Sequence, residues 1–243
     1  MTSKIFRVLS ALLDYPSKEL LRATEELQAV LDAETVLPPD LRADLDSLIG
    51  ELAARDIYDL QERYVLLFDR TRSLSLHLFE HVHGESRDRG QAMVDLQNVY
   101  EKHGLSLATK ELPDYLPLFL EFLSTRPNEE ARELLGQAAH VFSALAERLA
   151  KRHSSYEAVF RALVALAAAE PKSEAVAALL EEADPDATDL AALDAAWEDE
   201  PVTFGPGAGN GCKDGLIARI RAGLRPAPGV SNAQTKRPLA SRP

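Results

Sequence analysis

From Ile5 to about residue 198, the apolar residues recur every three to four positions, and the breaks between stretches are short. That is the period of amphipathic helices packed on a shared core, and it leaves little room for any other fold class. Ile5, Leu9, Leu12 and Leu13 form one stripe that ends before Pro16. Ser17 can cap the next helix, and Pro38-Pro39 separate it from DLRADLDSLIGELAAR. Asp56 then caps IYDLQERYVLLF, in which Ile57, Leu60, Tyr64, Leu67 and Phe68 share a face. Gly104, after Lys102 and His103, has the place of a C-terminal cap for a helix carrying Met93, Leu96 and Tyr100. Ser154 with Glu157 spells a capping box for SSYEAVFRALVALAAA, which Pro171 terminates. A last helix around LAALDAAW ends near Trp197.

Period-two alternation is scarce, and no Asn-Gly turn joins β-branched runs. The expectation is an all-α, single-domain helical bundle over residues 1–200 with antiparallel neighbours. Residues 201–243 differ in kind. They hold seven of the twelve glycines, six of the fourteen prolines, and seven Lys or Arg against the single acid Asp214. The tail is therefore +6 and the remainder −18. Only GLIARIRAGL within it has a helical stripe, so a flexible basic tail is expected, solvated or folded back on its acidic parent.

Charge and cysteine content exclude several functions. A net charge of −12 argues against nucleic acid and anionic lipid as partners and favours a basic peptide or protein. Cys212 is the sole cysteine, so no internal disulfide or cysteine-held metal site is available. Arg7 and Asp14 interrupt the apolar N-terminal run, which disfavours a signal peptide. The longest apolar run, 162–169, has eight residues against the roughly 20 needed to cross a bilayer. No stable membrane insertion and a cytoplasmic location are expected.

Three of the six histidines lie in SLHLFEHVHGESRDRGQAM: His77, His81 and His83. Within it HLFEH spells H-x-x-E-H, the pattern of inverted zinc metallopeptidases. On a helix, His77 and His81 would share a face and could reach one zinc ion, with Glu80 as general base. A catalytic site also needs a third ligand, and none announces itself. The other reading is structural: a helix end with Leu76, Phe79 and Val82 turned inward, followed by a helix whose first turn holds Glu85 and Asp88. Arg87 and Arg89 would then pair with those two acids.

The block FEHVHGESRDRGQAMVDLQNVYEKHGL, preceded by YVLLFDR and followed by ELPDYLPLFLEFL, strongly resembles the nitrate reductase delta subunit family. These are molybdenum cofactor assembly chaperones within the wider TorD-like group of redox enzyme maturation proteins. The resemblance covers roughly residues 1–200. Y-x-x-L-F at Tyr64–Phe68 and E-x-P-D at Glu111–Asp114 match the group's two recurring motifs. Where the second motif normally ends in histidine, this chain has Tyr115. The resemblance implies a bundle of the TorD-like type that is not an enzyme and carries no cofactor or metal of its own. Its implied partner is the catalytic (alpha) subunit of respiratory nitrate reductase, bound through an N-terminal leader. Cofactor-delivery proteins are a further implied partner class, and the expected state is a monomer or weak dimer. H-x-x-E-H would then be coincidence, and a zinc-dependent hydrolase or a plain adaptor are the alternatives.

A basic, amphipathic leader needs an apolar groove with an acidic rim. Tyr64, Phe68, Phe79 and Leu116 are candidate walls, although the i, i+4 spacing of Tyr64 and Phe68 fits a core better than a groove. Glu80, Glu111 and Asp114 are candidate carboxylates for Arg or Lys of the client, with His81 and Tyr115 beside them. Glu111 and Asp114 could instead cap the helix DYLPLFLEFL.

Overall fold

The computed structural model of the chain describes residues 4–84, 86–107 and 111–185. Twelve α-helices account for most of them, with no named strand among the described residues. At the centre, α1 (Ile5–Leu13) lies along α8 (Leu116–Ser124). Both helices are apolar on more than one face because other helices cover them on several sides. Leu9, Leu12, Phe119 and Leu123 are essentially without exposure. Burying each such side chain is worth about 1.5–3 kcal/mol, so this pair contributes strongly to the core. Around it pack α3 (Thr24–Asp32), α4 (Pro39–Ala54) and the antiparallel pair α10 (Ala139–Lys151) and α11 (Glu157–Leu166). The short α2 (Lys18–Arg22) leads into α3, α9 (Asn128–Gln137) precedes α10, and α12 (Ser173–Glu181) lies on α10.

Local signals set many of the boundaries. The Ser17 hydroxyl accepts from the Leu20 amide at 3.1 Å. The Asp56 carboxylate accepts from Tyr58 at 2.8 Å and starts α5 (Ile57–Tyr64), which runs into a π-helical turn, Val65–Asp69. Pro39 opens α4, where its missing N–H costs nothing. Gly104, at φ 76°, closes α7 (Arg87–Lys102). Its own amide reaches Glu101 O at 3.0 Å, and Leu105 N reaches Tyr100 O at 3.0 Å, the double bond of a Schellman cap.

Other expectations need correction. Ser154 and Glu157 form no capping box: α11 begins at Glu157 without a side-chain cap, and the Ser154 hydroxyl instead faces Arg63 Nη2 at 3.3 Å. The helix also ends at Leu166, well before Pro171. There the chain is captured by α9, where Ala168 N donates to Arg132 O at 2.9 Å and Arg132 Nε to Leu166 O at 3.0 Å. The approach is close: a Cβ on Gly136 would stand 3.1 Å from Ala169 N, so a larger residue there would require the two segments to give by a few tenths of an ångström. The LAALDAAW helix, the boundary near residue 200 and the tail lie outside the described residues.

Candidate functional site

The two motifs are separated by about fifty residues of sequence and meet in space. Tyr64 sits at the end of α5, 3% exposed, and donates its hydroxyl proton to Leu13 O at 2.9 Å. Its oxygen lies 3.1 Å from the Tyr115 hydroxyl. With the Tyr64 proton already given away, Tyr115 is left as donor in that pair, and Asp14 Oδ1 stands 3.5 Å from it as a second acceptor. Tyr15 packs edge-on against the Tyr64 ring at 5.4 Å. Burial pushes the Tyr115 phenol up to about 12, so it stays a neutral donor through the physiological range.

The second motif is held from three further sides. An isolated antiparallel bridge pairs His77 with Tyr115, flanked by Leu78 N→Asp114 O at 3.1 Å and Leu116 N→Leu76 O at 2.8 Å. The buried Tyr100 of α7 donates to Pro113 O at 2.7 Å, and Ser10 of α1 donates to Pro117 O at 2.7 Å. Segment 113–117 is thereby fixed by α1, α5, α7 and the strand-like stretch before α6 (Leu78–His83).

Asp114 is 0% exposed, which corrects its expected place at a partly exposed rim. One carboxylate oxygen accepts from the Phe79 amide at 3.0 Å and the other from His77 Nδ1 at 3.3 Å. It is therefore a cap, as one reading of the motif allowed, but of α6 rather than of the helix that follows it. His77 itself is not helical; it precedes α6 in extended backbone. Its imidazole pKa is raised, chiefly by the hydrogen bond to Asp114, against burial that pulls it down. Its ring centroid is 5.5 Å from that of Tyr115. The imidazole that the motif lacks at position 115 thus stands beside it, supplied by the opposing segment.

The remaining residues of the H-x-x-E-H stretch diverge. His81 Nε2 donates to Ser75 O at 2.8 Å, and burial pushes its pKa down. It borders a cleft of about 490 Å³ beneath α12. Burial would raise the Glu80 carboxyl, but hydrogen bonding to Ser75 and the Arg89 guanidinium at 2.9 Å outweigh it and hold the pKa low. Arg89 therefore reaches back to Glu80, while Glu85 and the Arg87 side chain lie outside the described residues. His77 and His81 engage different partners, and no group of three His, Cys, Asp or Glu among the described residues could hold a metal ion.

Tyr64, Phe68, Phe79 and Leu116 are all core, at 3%, 5%, 0% and 0% exposure, so none is a groove wall in this conformation. What reaches solvent around the junction is the exposed Glu111 and Asp14, the half-buried Tyr115, and two apolar side chains, Leu112 and Tyr15, each 44% exposed. The sequence reading missed Asp14, Tyr15, Leu112 and His77 in this setting. The first two end the α1 stripe and look like a boundary, and nothing local connects them to position 115.

The family model described as "Nitrate reductase delta subunit" matches residues 34–162. The chain is 44% identical over 210 residues to the nitrate reductase molybdenum cofactor assembly chaperone NarJ of Escherichia coli (strain K12), covering 86% of this chain and 88% of that one. It is 41% identical over 201 residues to the probable chaperone NarW of the same strain, covering 83% and 84%. It is 32% identical over 160 residues to the probable chaperone NarJ of Bacillus subtilis (strain 168), covering 66% and 86%. These relatives are named as assembly chaperones rather than as enzymes. The chain belongs to the nitrate reductase delta subunit family.

Proposed function

We propose that this chain is the system-specific chaperone of a respiratory nitrate reductase. It binds the N-terminal leader of the catalytic subunit and keeps that subunit competent for molybdenum cofactor insertion before it docks on the membrane. It is not part of the mature enzyme, and it acts in the cytoplasm. No helix among the described residues is long and apolar enough to cross a membrane.

The observation that carries this reading is the surface over the Tyr64–Tyr115 junction. Leu112 and Tyr15 offer apolar contact there, and Glu111 and Asp14 offer negative charge, the chemistry that a basic amphipathic segment requires. The rigid junction beneath keeps these groups in place, so little ordering is needed on binding. Glu80 and His81 enter the proposal as secondary contacts on α6, Glu80 already paired with Arg89 and His81 bordering the cleft beneath α12. Buried Asp114, Tyr64, Phe68, Phe79 and Leu116 enter it as the support that fixes the contact residues.

Co-purification of the catalytic subunit with and without its leader tests the reading. Recovery that depends on the leader, and release of the chain once the cofactor is loaded, are expected. Equal recovery of the leaderless subunit would overturn it.

A further inference from the structure

A second surface has no part in that reading. α10 and α11 lie side by side, and with the start of α4 they enclose a groove of about 420 Å³. Its floor is apolar: Leu41, Ala146, Val164 and Ala165. Its rim is acidic, with Asp40, Glu147 and Glu157. Among the described residues the groove carries one guanidinium, Arg161, already held by Asp44 at 2.8 Å, with Asp40 at 3.8 Å and Glu157 at 4.0 Å nearby. Glu147 is exposed and has no hydrogen-bond or ion-pair partner among the described residues. Four carboxylates to one guanidinium on an apolar floor is an incomplete arrangement, and cationic amphipathic chain is the chemistry that would complete it.

The chain carries such a segment. Residues 215–224, GLIARIRAGL, place Leu216, Ile217, Ile220 and Leu224 at helical spacing, with Arg219, Arg221 and the following Arg225 between and beside them. They lie in the +6 tail of a chain whose remainder is −18. The described residues also end close by. Pro185 O accepts from Arg152 Nη2 at 3.4 Å, and Arg152, just past the end of α10, follows the groove residue Ala150 by two positions. The 29 residues between Pro185 and Gly215 can span up to about 100 Å when extended. A tether of that kind gives an effective concentration near millimolar, so even a weak contact is populated.

We propose that residues 215–224 dock in the α4–α10–α11 groove of the same chain, their apolar face on Leu41 and Val164 and their arginines on Glu147 and Glu157. This inference does not depend on the client-binding reading.

The chain's only cysteine, Cys212, stands three residues before the segment and takes a nitroxide label without any mutation. In the full-length labelled protein, the amide signals of Glu147, Ala150 and Arg161 should lose more than half their intensity, while those of α7 keep theirs. Salt at about 1 M, where screening falls to roughly 3 Å, should restore them. Glu147→Lys should restore them too, and the milder Glu147→Gln should do so in part if the reversal disturbs the fold. Unchanged groove signals would overturn the proposal, as would broadening confined to the cleft beneath α12. A mixture of labelled chain with isotope-enriched unlabelled chain should show no broadening. Broadening there would mean that a second copy supplies the segment, and the intramolecular assignment would fail.

Discussion

Asp114 and Arg148 are both charged side chains taken out of water, at 0% and 1% exposure, and the fold accommodates them by opposite means. Asp114 turns to the start of a helix: the Phe79 amide of α6 and the imidazole of His77 occupy its oxygens. Arg148 turns to the end of one: it donates to Leu179 O at 2.5 Å and Glu182 O at 3.5 Å in the last turn of α12, and to Ser73 O at 2.7 Å. Helix ends carry partial charges of the required sign, so each group is satisfied by backbone polarity. The difference lies in what else they touch. Asp114 hydrogen-bonds a titratable ring and sits beneath the half-buried Tyr115, whereas Arg148 joins α10, α12 and the turn before α6 through carbonyls, with the Glu182 and Asp184 carboxylates and the His81 ring within electrostatic reach. One buried charge belongs to the junction that supports the surface; the other holds the bundle closed.

The comparison breaks first at Arg148. Arg148→Ala would leave three carbonyls without their donor and open a cavity, at a cost of about 3–5 kcal/mol. Calorimetry should show a fall in Tm of roughly 6–20 °C. A loss of less than about 1 kcal/mol would mean that water replaces the guanidinium readily and that the latch is unimportant.

Asp114 comes next. Asp114→Ala orphans the Phe79 amide and should cost about 2–3 kcal/mol, while Asp114→Asn keeps an acceptor for it and should cost about 1 kcal/mol. Leader binding should then weaken only in step with stability. If Asp114→Asn keeps its Tm but binds the leader several-fold more weakly, with a shallower salt dependence, the carboxylate meets the client directly, and its role as support is wrong.

The local signals were legible because their partners are close in sequence. Ser17, Asp56 and Gly104 each act within about four residues, and each stands where a capping rule puts it. Ser154 looked the same and was not, because Arg63 from α5 claims its hydroxyl. Asp114 was legible as a cap or a binder, but the helix it caps begins 36 residues earlier in the chain. The Tyr64–Tyr115 contact and the packing of Tyr15 depend on how the helices assemble, which no periodicity specifies. Arg148 was invisible, since an arginine in the last turn of a helix ordinarily faces water and favours that end by its charge.

The third consequence concerns pH, and it also separates the two buried charges. The folded pKa of His77 lies above its ordinary 6.5 because Asp114 holds the protonated ring. That contribution to stability is fully present below the unfolded value and is lost as pH rises through the raised folded one. His81 has the opposite sign: burial lowers its pKa, so its contribution is present above 6.5 and is lost as pH falls below it. Above 6.5, then, His77 gives a decline in stability with pH where His81 gives none. His77→Gln should flatten that limb of the curve, and Asp114→Asn should bring the His77 ring back toward 6.5 in an NMR titration. Arg148→Met should leave the His77 titration unchanged but let the His81 ring rise toward its ordinary value, since the guanidinium helps to hold it down. A wild-type limb that is already flat would show that the 3.3 Å contact is not an ion pair in solution.

The smallest effect is expected at Glu111, three residues before Asp114 in the same motif and exposed where Asp114 is buried. Its contribution should appear in binding alone. An exposed carboxylate facing a leader Arg or Lys gains little in water, so Glu111→Gln should weaken the leader by only about two- to fivefold in isothermal titration. Glu111→Lys should weaken it further by placing like charge against like. Both effects should fade in high salt, and neither should move Tm, because Glu111 has no buried partner to orphan. Asp14→Asn should behave in the same way, since Asp14 is likewise exposed beside Tyr115. If Glu111→Lys binds the leader as tightly as the native chain at low salt, the motif's exposed carboxylate does not face the client. The client surface would then have to be sought away from the Tyr64–Tyr115 junction, with the cleft that His81 borders beneath α12 as the next place to test.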